Sequence, residues 1–178
     1  GLTIQGGVNA GSTAVDNCEV RGELPEINPT NPFCEDSPGL ITRVTGLAAY
    51  TVPKIDVLVS GTFRSDQGPP LHAKWVVSSA EPAKSLARPL SGGTPNVTVN
   101  LIEPGVLWGD RVNVIDLRLA KILRFGRTRT NVGVDFYNLF NSSAVLTYNQ
   151  AFNPGGSWLV PPTVVSPRFA KGGGSFDF

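Results

Sequence analysis

Apolar and polar side chains alternate residue by residue through segment after segment of this chain, which is the mark of strands, whereas a helical spacing of apolar residues is hard to find. In "GLTIQGGVNAG", Leu2, Ile4, Gly6, Val8 and Ala10 share one face and Thr3, Gln5, Gly7 and Asn9 the other. In "IDVLVSGTFRSD", Ile55, Val57, Val59, Gly61 and Phe63 oppose Asp56, Leu58, Ser60, Thr62, Arg64 and Asp66, so the second face carries charge even in mid-strand. Ile115, Leu117 and Leu119 oppose Asp116, Arg118 and Ala120 in the same way. Val132, Val134, Phe136 and Phe140 oppose Asn131, Gly133, Asp135 and Tyr137. A weaker alternation sets Leu40, Val44, Gly46, Ala48 and Tyr50 against Ile41, Arg43, Thr45, Leu47 and Ala49. In "PRFAKGGGSFDF", Ala170, Gly172, Gly174, Phe176 and Phe178 face away from Phe169, Lys171, Gly173, Ser175 and Asp177. Gly (20) and Pro (15) punctuate these segments, and the chain is expected to be all-β.

Six long strands are predicted, at about 1–10, 40–51, 55–66, 111–123, 129–140 and 167–178. Their length of about ten residues or more is what a tilted strand needs to cross a bilayer, and it exceeds the usual soluble strand. The connections fall into two classes that alternate strictly. "VPK" near 52–54 and "RFGRT" near 124–128 are short, while roughly 11–39, 67–109 and 141–166 are long. That order predicts the strands of an antiparallel transmembrane β-barrel, a meander with tight periplasmic turns and long extracellular loops. Lipid offers no water to backbone polar groups, so every strand there must be bonded to a neighbour. Within the second long loop, "AKWVVSS" (73–79) and "NVTVNLI" (96–102) are expected to pair as a small hairpin.

Composition adjusts this picture little, because 40% hydrophobic and 16% charged residues suit a soluble core as well as a barrel. A net charge of +1 gives no basic field for nucleic acid. No run of eighteen apolar residues occurs, which excludes a transmembrane helix but is blind to strands. The chain has no Met and opens at Gly1 without a charged and then apolar leader, so a processed or cut start is expected. Cys18 and Cys34 lie in one polar stretch rich in acids and turn formers, which suggests a disulfide in an oxidising compartment; the alternative is two unpaired thiols. A bridge over that span contributes on the order of 3 kcal/mol.

Lys171, Gly173, Phe176 and Phe178 resemble, in their spacing, the assembly signal that outer-membrane barrels carry on their last strand. The stretch "NVIDLRLAKILRFGRTRTNVGVDFYNLFNSSAVLTYN" resembles the closing strands of TonB-dependent outer-membrane receptors, through Asp116, Leu117, Arg118, Lys121, Asn138, Leu139, Phe140 and Asn141. Asp16, Asn17 and Cys18 are similar to a segment in late loops of the subgroup with a carboxypeptidase-regulatory-like domain. The resemblance covers 1–178, and its specific part is 111–178. It implies the C-terminal portion of a larger barrel in the bacterial outer membrane, serving energy-coupled nutrient uptake without a cofactor. The partners it implies are outer-membrane lipid, the remaining barrel strands and plug of the parent receptor, and the barrel-assembly machinery. The TonB complex would act only through an N-terminal region that this sequence lacks. Size is the departure, since six strands are fewer than in the smallest single-chain barrels.

Asp56, Arg64, Asp116, Arg118 and Asp135 are expected to line a polar lumen or pair across strands. Trp75, Trp108 and Trp158 fall in the long loops, where large aromatics can anchor a ligand. Trp108 and Trp158 suit an upper interface girdle equally. Asp16, Glu19, Glu23, Glu26, Glu35 and Asp36 accompany a single Arg21 but match no calcium motif. Arg124, Arg127 and Arg129 crowd one short turn, suited to acidic headgroups, to a periplasmic partner or simply to snorkelling. His72 is the sole histidine and no G-x-S-x-G elbow occurs, so neither a metal centre nor catalysis is expected. Two other readings fit the same strands: a small stand-alone outer-membrane barrel acting as adhesin or pore, and a secreted carbohydrate-binding β-sandwich.

Overall fold

A computed structural model describes residues 1–23, 33–88, 93–126 and 128–177. The chain begins with strands β1 (Leu2–Gly11) and β2 (Val15–Asp16), helix α1 (Cys18–Glu23) and strand β3 (Glu35–Asp36). Then come β4 (Ile41–Val52), β5 (Val57–Asp66), β6 (Lys74–Ser78), helix α2 (Ala80–Leu86) and β7 (Asn96–Asn100). The remainder comprises β8 (Val112–Phe125), β9 (Thr128–Tyr137), β10 (Val145–Thr147), β11 (Ala151–Phe152), β12 (Thr163–Val164) and β13 (Phe169–Asp177).

The long strands form one six-stranded antiparallel sheet in the order β1-β4-β5-β8-β9-β13. This is the all-β meander the alternation predicts, with its register unbroken along every pairing. The sheet is open: β1 and β13 are its outer strands and do not pair with each other.

Most predicted boundaries move by a residue or more, and in two cases backbone sign is the reason. The strand expected from 55 begins at Val57, because Lys54 (φ 74°) and Asp56 (φ 47°) take the left-handed conformation that closes the turn. Ile55 and Asp56 extend the alternation in residue type only. The strand expected to reach 140 stops at Tyr137, because Asn138 (φ 50°) and Asn141 (φ 55°) are left-handed as well. Asn tolerates that region better than most residues. Phe140 therefore leaves the ladder and stands 74% exposed.

The cross-strand register decides which residues share a face. Leu2, Ile4 and Val8 of β1 lie opposite Tyr50, Ala48 and Val44 of β4. These continue to Val59, Gly61 and Ser65 of β5, and from Val59 and Gly61 to Leu119 and Leu117 of β8. Leu119 and Leu117 pair with Val134 and Phe136 of β9, which pair with Gly172 and Ala170 of β13. One apolar face thus runs unbroken across all six strands, and no other layer among the described residues covers it: Val8 is 73%, Ile4 71% and Phe176 67% exposed. Among the described residues no large side chain is fully sealed from solvent.

The three long connections emerge at one end of the sheet and the two tight turns at the other. The expected hairpin forms, with β6 and β7 antiparallel from Lys74↔Asn100 to Ser78↔Asn96. A third strand, β11, adds to β6 in parallel, and β10 pairs with β12. Helices α1 and α2, six and seven residues long, escape the sequence reading because neither spans the window in which a helical period shows.

Candidate functional site

The apolar face ends in polar groups at both rims. At the loop rim the Arg111 guanidinium donates to Ser65 Oγ (2.7 Å) and Thr42 Oγ1 (3.0 Å), and Ser65 Oγ donates to Asn113 Oδ1 (2.6 Å). Thr42, Ser65 and Asn113 share the apolar face, so this chain of bonds draws its upper boundary. Arg111, expected as the first residue of a strand, sits one residue before β8, and no motif marks it as the donor that closes this rim. At the turn rim lie Thr128, Thr130 and Lys121, whose ammonium donates to the Ile55 carbonyl. Among the described residues, Lys121 is the only charged one that the register places on this face. Aromatics also gather at the two rims: Phe63 and Phe136 toward the loops, Tyr50, Phe125 and Phe176 toward the turns.

Arg64, Asp116, Arg118 and Asp135 occupy the opposite face, as the alternation predicts. Arg118 reaches Asp135 at 3.1 Å, and in the cross-strand row Ser60, Arg118, Asp135, Lys171 the charge alternates in sign over the last three strands. Asp66 collects Arg43 at 2.6 Å and Arg64 at 3.3 Å. Asp116 accepts the backbone N–H of Asn138 at 2.8 Å and a weak bond from Thr62 Oγ1 at 3.5 Å. The fifth residue of the predicted lumen set is elsewhere: Asp56 belongs to the turn, where it meets Arg124 at 3.0 Å. All of these pairs are partly solvated, so each orients its partners more than it stabilises the sheet.

Asn138 ties the loop end of β9 to the start of β13, a role no motif announced. The residue is 4% exposed. Nδ2 donates to the carbonyls of Ser142 (2.9 Å) and Ser166 (2.8 Å), and Oδ1 accepts Ser142 N–H (2.8 Å). Asn141 Oδ1 accepts Arg168 N–H at 3.0 Å. The Asn-Leu-Phe-Asn segment is thus a left-handed turn that closes on itself and on the last connection. Beside it the Tyr137 and Phe169 rings stack at 4.6 Å.

The loop layer has a small core of its own. Leu71, Ala73, Val77 and Asn100 are buried, and Asn100 accepts Ala73 N–H (3.1 Å) while donating to Ile102 O (2.8 Å) and lying 3.2 Å from His72 Nδ1. The legs of the second loop run so close that a Cβ on Gly68 would stand 2.2 Å from the Gly109 carbonyl oxygen, which only glycine permits. Trp158 donates to His72 O (3.2 Å) and meets the Phe152 ring edge-on at 5.7 Å; Phe152 is the strand partner of Trp75. Trp108 stands apart and donates to Gly105 O at 2.9 Å. Trp158 thus packs on Phe152, and Trp75 lies beside Phe152 in the strand register, with every tryptophan half-buried.

Cys18 and Cys34 form a disulfide that joins α1 to the start of β3. Asp16 Oδ1 accepts Cys18 N–H at 2.9 Å, and β2 pairs with β3 beside it. Glu26 and Arg127 lie outside the described residues. Among the described residues no group of three or more His, Cys, Asp or Glu is gathered to hold a metal ion. Lys171, Gly173 and Phe176 take their places on β13, opposite Asp135, Gly133 and Thr130, while Phe178 lies outside the described residues. No family model, curated protein or solved structure matches the chain.

Proposed function

We propose that this chain is part of the wall, with the extracellular loops, of an outer-membrane β-barrel of the TonB-dependent receptor type. The observation that carries this reading is the uncovered apolar face: six strands in unbroken register present aliphatic side chains and glycines outward, bounded by polar groups and aromatics at both rims. A transmembrane barrel needs that band, with aromatic girdles at its interfaces. A soluble sandwich would lay a second sheet on the same face. No described helix is long and apolar enough to cross a membrane, so any crossing falls to the strands.

In this reading the tight turns face the periplasm, the disulfide-pinned loops face outward, and the polar face borders the lumen and plug. The open edges of β1 and β13 pair with further strands of the parent barrel, or with those of further copies when the chain stands alone in vesicles, since unpaired edges cannot stand in lipid. Lys171, Gly173, Phe176 and Phe178 serve the assembly machinery. The loop surface around Phe152, with Trp75 and Trp158, is the one best suited to contact an incoming nutrient. Lipid and plug are partners of the two faces, and the TonB complex acts through a region outside this sequence.

Single cysteines at Val59, Leu119 and Val134, and at Thr62 and Asp135, test the faces in phosphatidylcholine vesicles. A fluorophore at the first three is expected to be quenched by brominated acyl chains, and the last two to react with aqueous maleimide. Equal behaviour of the two sets would overturn the membrane reading. Reading the coding sequence on the 5′ side of Gly1 tests the receptor assignment: a plug-like region supports it, and a start codon with a leader directly there favours a stand-alone barrel.

A further inference from the structure

The outward face holds a shallow groove of about 280 Å³ near the turn rim, walled by Val57, Leu119, Val132 and Val134, with Lys121 at its end. Lys121 has a valine on each side in the register, Val57 and Val132, so its stem lies along apolar surface while its head reaches the rim. There the ammonium donates to a neutral carbonyl, that of Ile55. Among the described residues no carboxylate lies within ion-pair distance of it, whereas the nearby Arg124 has Asp56 at 3.0 Å. Lys54 stands exposed in the adjoining turn and adds a second cation, without a carboxylate partner among the described residues.

We infer that this groove is a binding site for an anionic phospholipid of the leaflet on the tight-turn side. One acyl chain lies between the valines, and the phosphodiester meets Lys121 and Lys54. The occupant follows from charge: the one ammonium on a face otherwise free of charge ends an apolar groove, and a phospholipid with a net negative headgroup complements both parts. A zwitterionic lipid would bring its own cation to the same place. The inference rests on the membrane reading above.

The test uses the full chain in vesicles of phosphatidylcholine, with trace spin-labelled phosphatidylglycerol or phosphatidylcholine read by electron paramagnetic resonance. Phosphatidylglycerol is expected to associate roughly fivefold more strongly than phosphatidylcholine. Lys121→Gln is expected to bring the ratio near one and Lys121→Arg to keep it. Val132→Trp, which fills the groove and leaves the charge, is expected to lower it. Lys84→Gln, which removes the same charge from helix α2 in the loop layer, is expected to leave it unchanged. Insertion with a ratio of one, or an equal fall for Lys84→Gln and Lys121→Gln, overturns the site while leaving the membrane reading intact. In vesicles that the chain has entered, equal quenching by brominated acyl chains of fluorophores on the two faces overturns the membrane reading itself.

Discussion

Alternate residues of the same six strands build two faces that behave in opposite ways. On the polar face, charges find partners within the sheet: Arg118 has Asp135, and Asp66 has both Arg43 and Arg64. On the apolar face the side chains find neighbours sideways, strand to strand, and nothing above them. Leu119 and Val134 are register partners, yet each is about two-fifths exposed. Each such side chain would gain on the order of 1 kcal/mol if the two-fifths still exposed left water as well. The described residues supply no cover for that gain, and the proposed wall reading assigns it to lipid.

The contrast breaks most directly when charge crosses from one face to the other. Val134→Arg, in the middle of the apolar band, is expected to destabilise the vesicle-inserted chain by about 2–4 kcal/mol. Gln5→Arg, on the polar face of β1, should stay within about 0.5 kcal/mol. Urea unfolding in phosphatidylcholine vesicles measures both, and equal costs would mean that lipid does not meet one face selectively.

A second contrast sets the sheet against its loops. The Cys18–Cys34 bridge acts on the first loop alone, and the sheet's ladders begin and end outside it. Double substitution to Ser is expected to cost the loop about 3 kcal/mol of local stability. Limited proteolysis should then cut within 11–39 while the rest of the chain keeps its protection. Collapse of the whole sheet on reduction would show that loop and wall are one cooperative unit.

Between loop and wall stands Asn138. Replacing it with Ala removes three hydrogen bonds from a 4% exposed residue and leaves the carbonyls of Ser142 and Ser166 without that donor. The expected loss is about 2 kcal/mol. Amide exchange should quicken at the start of β13 and the end of β9 while β1 and β4 stay unchanged. A uniform quickening across all six strands would contradict a local tie.

These expectations also show what alternation can and cannot reveal. It places Val57, Leu117, Val134 and Phe176 on one face because a strand has a period of two, and the register then joins them. It misassigns Ile55 and Asp56 because apolar and charged side chains continue the pattern into a turn whose left-handed backbone it cannot sense. Asn138 entered the reading only through a family likeness, since its work depends on Ser166, which lies 28 residues away. The β6–β7 hairpin was legible from two β-rich runs, but β11 joins it across a distance in sequence that no local pattern records.

The smallest expected effect concerns the polar face itself. Arg118 and Asp135 are 42% and 19% exposed, so water screens their attraction and a double-mutant cycle to Ala should yield about 0.5 kcal/mol. That modest value is the informative outcome, because it would make the row Ser60, Arg118, Asp135, Lys171 a way of keeping one face wet rather than a clasp holding strands together. The ladders and the outside apolar contact would then carry the stability. A coupling several times larger would instead describe a pair withdrawn from water, and the polar face would have to be covered by something as extensive as the sheet.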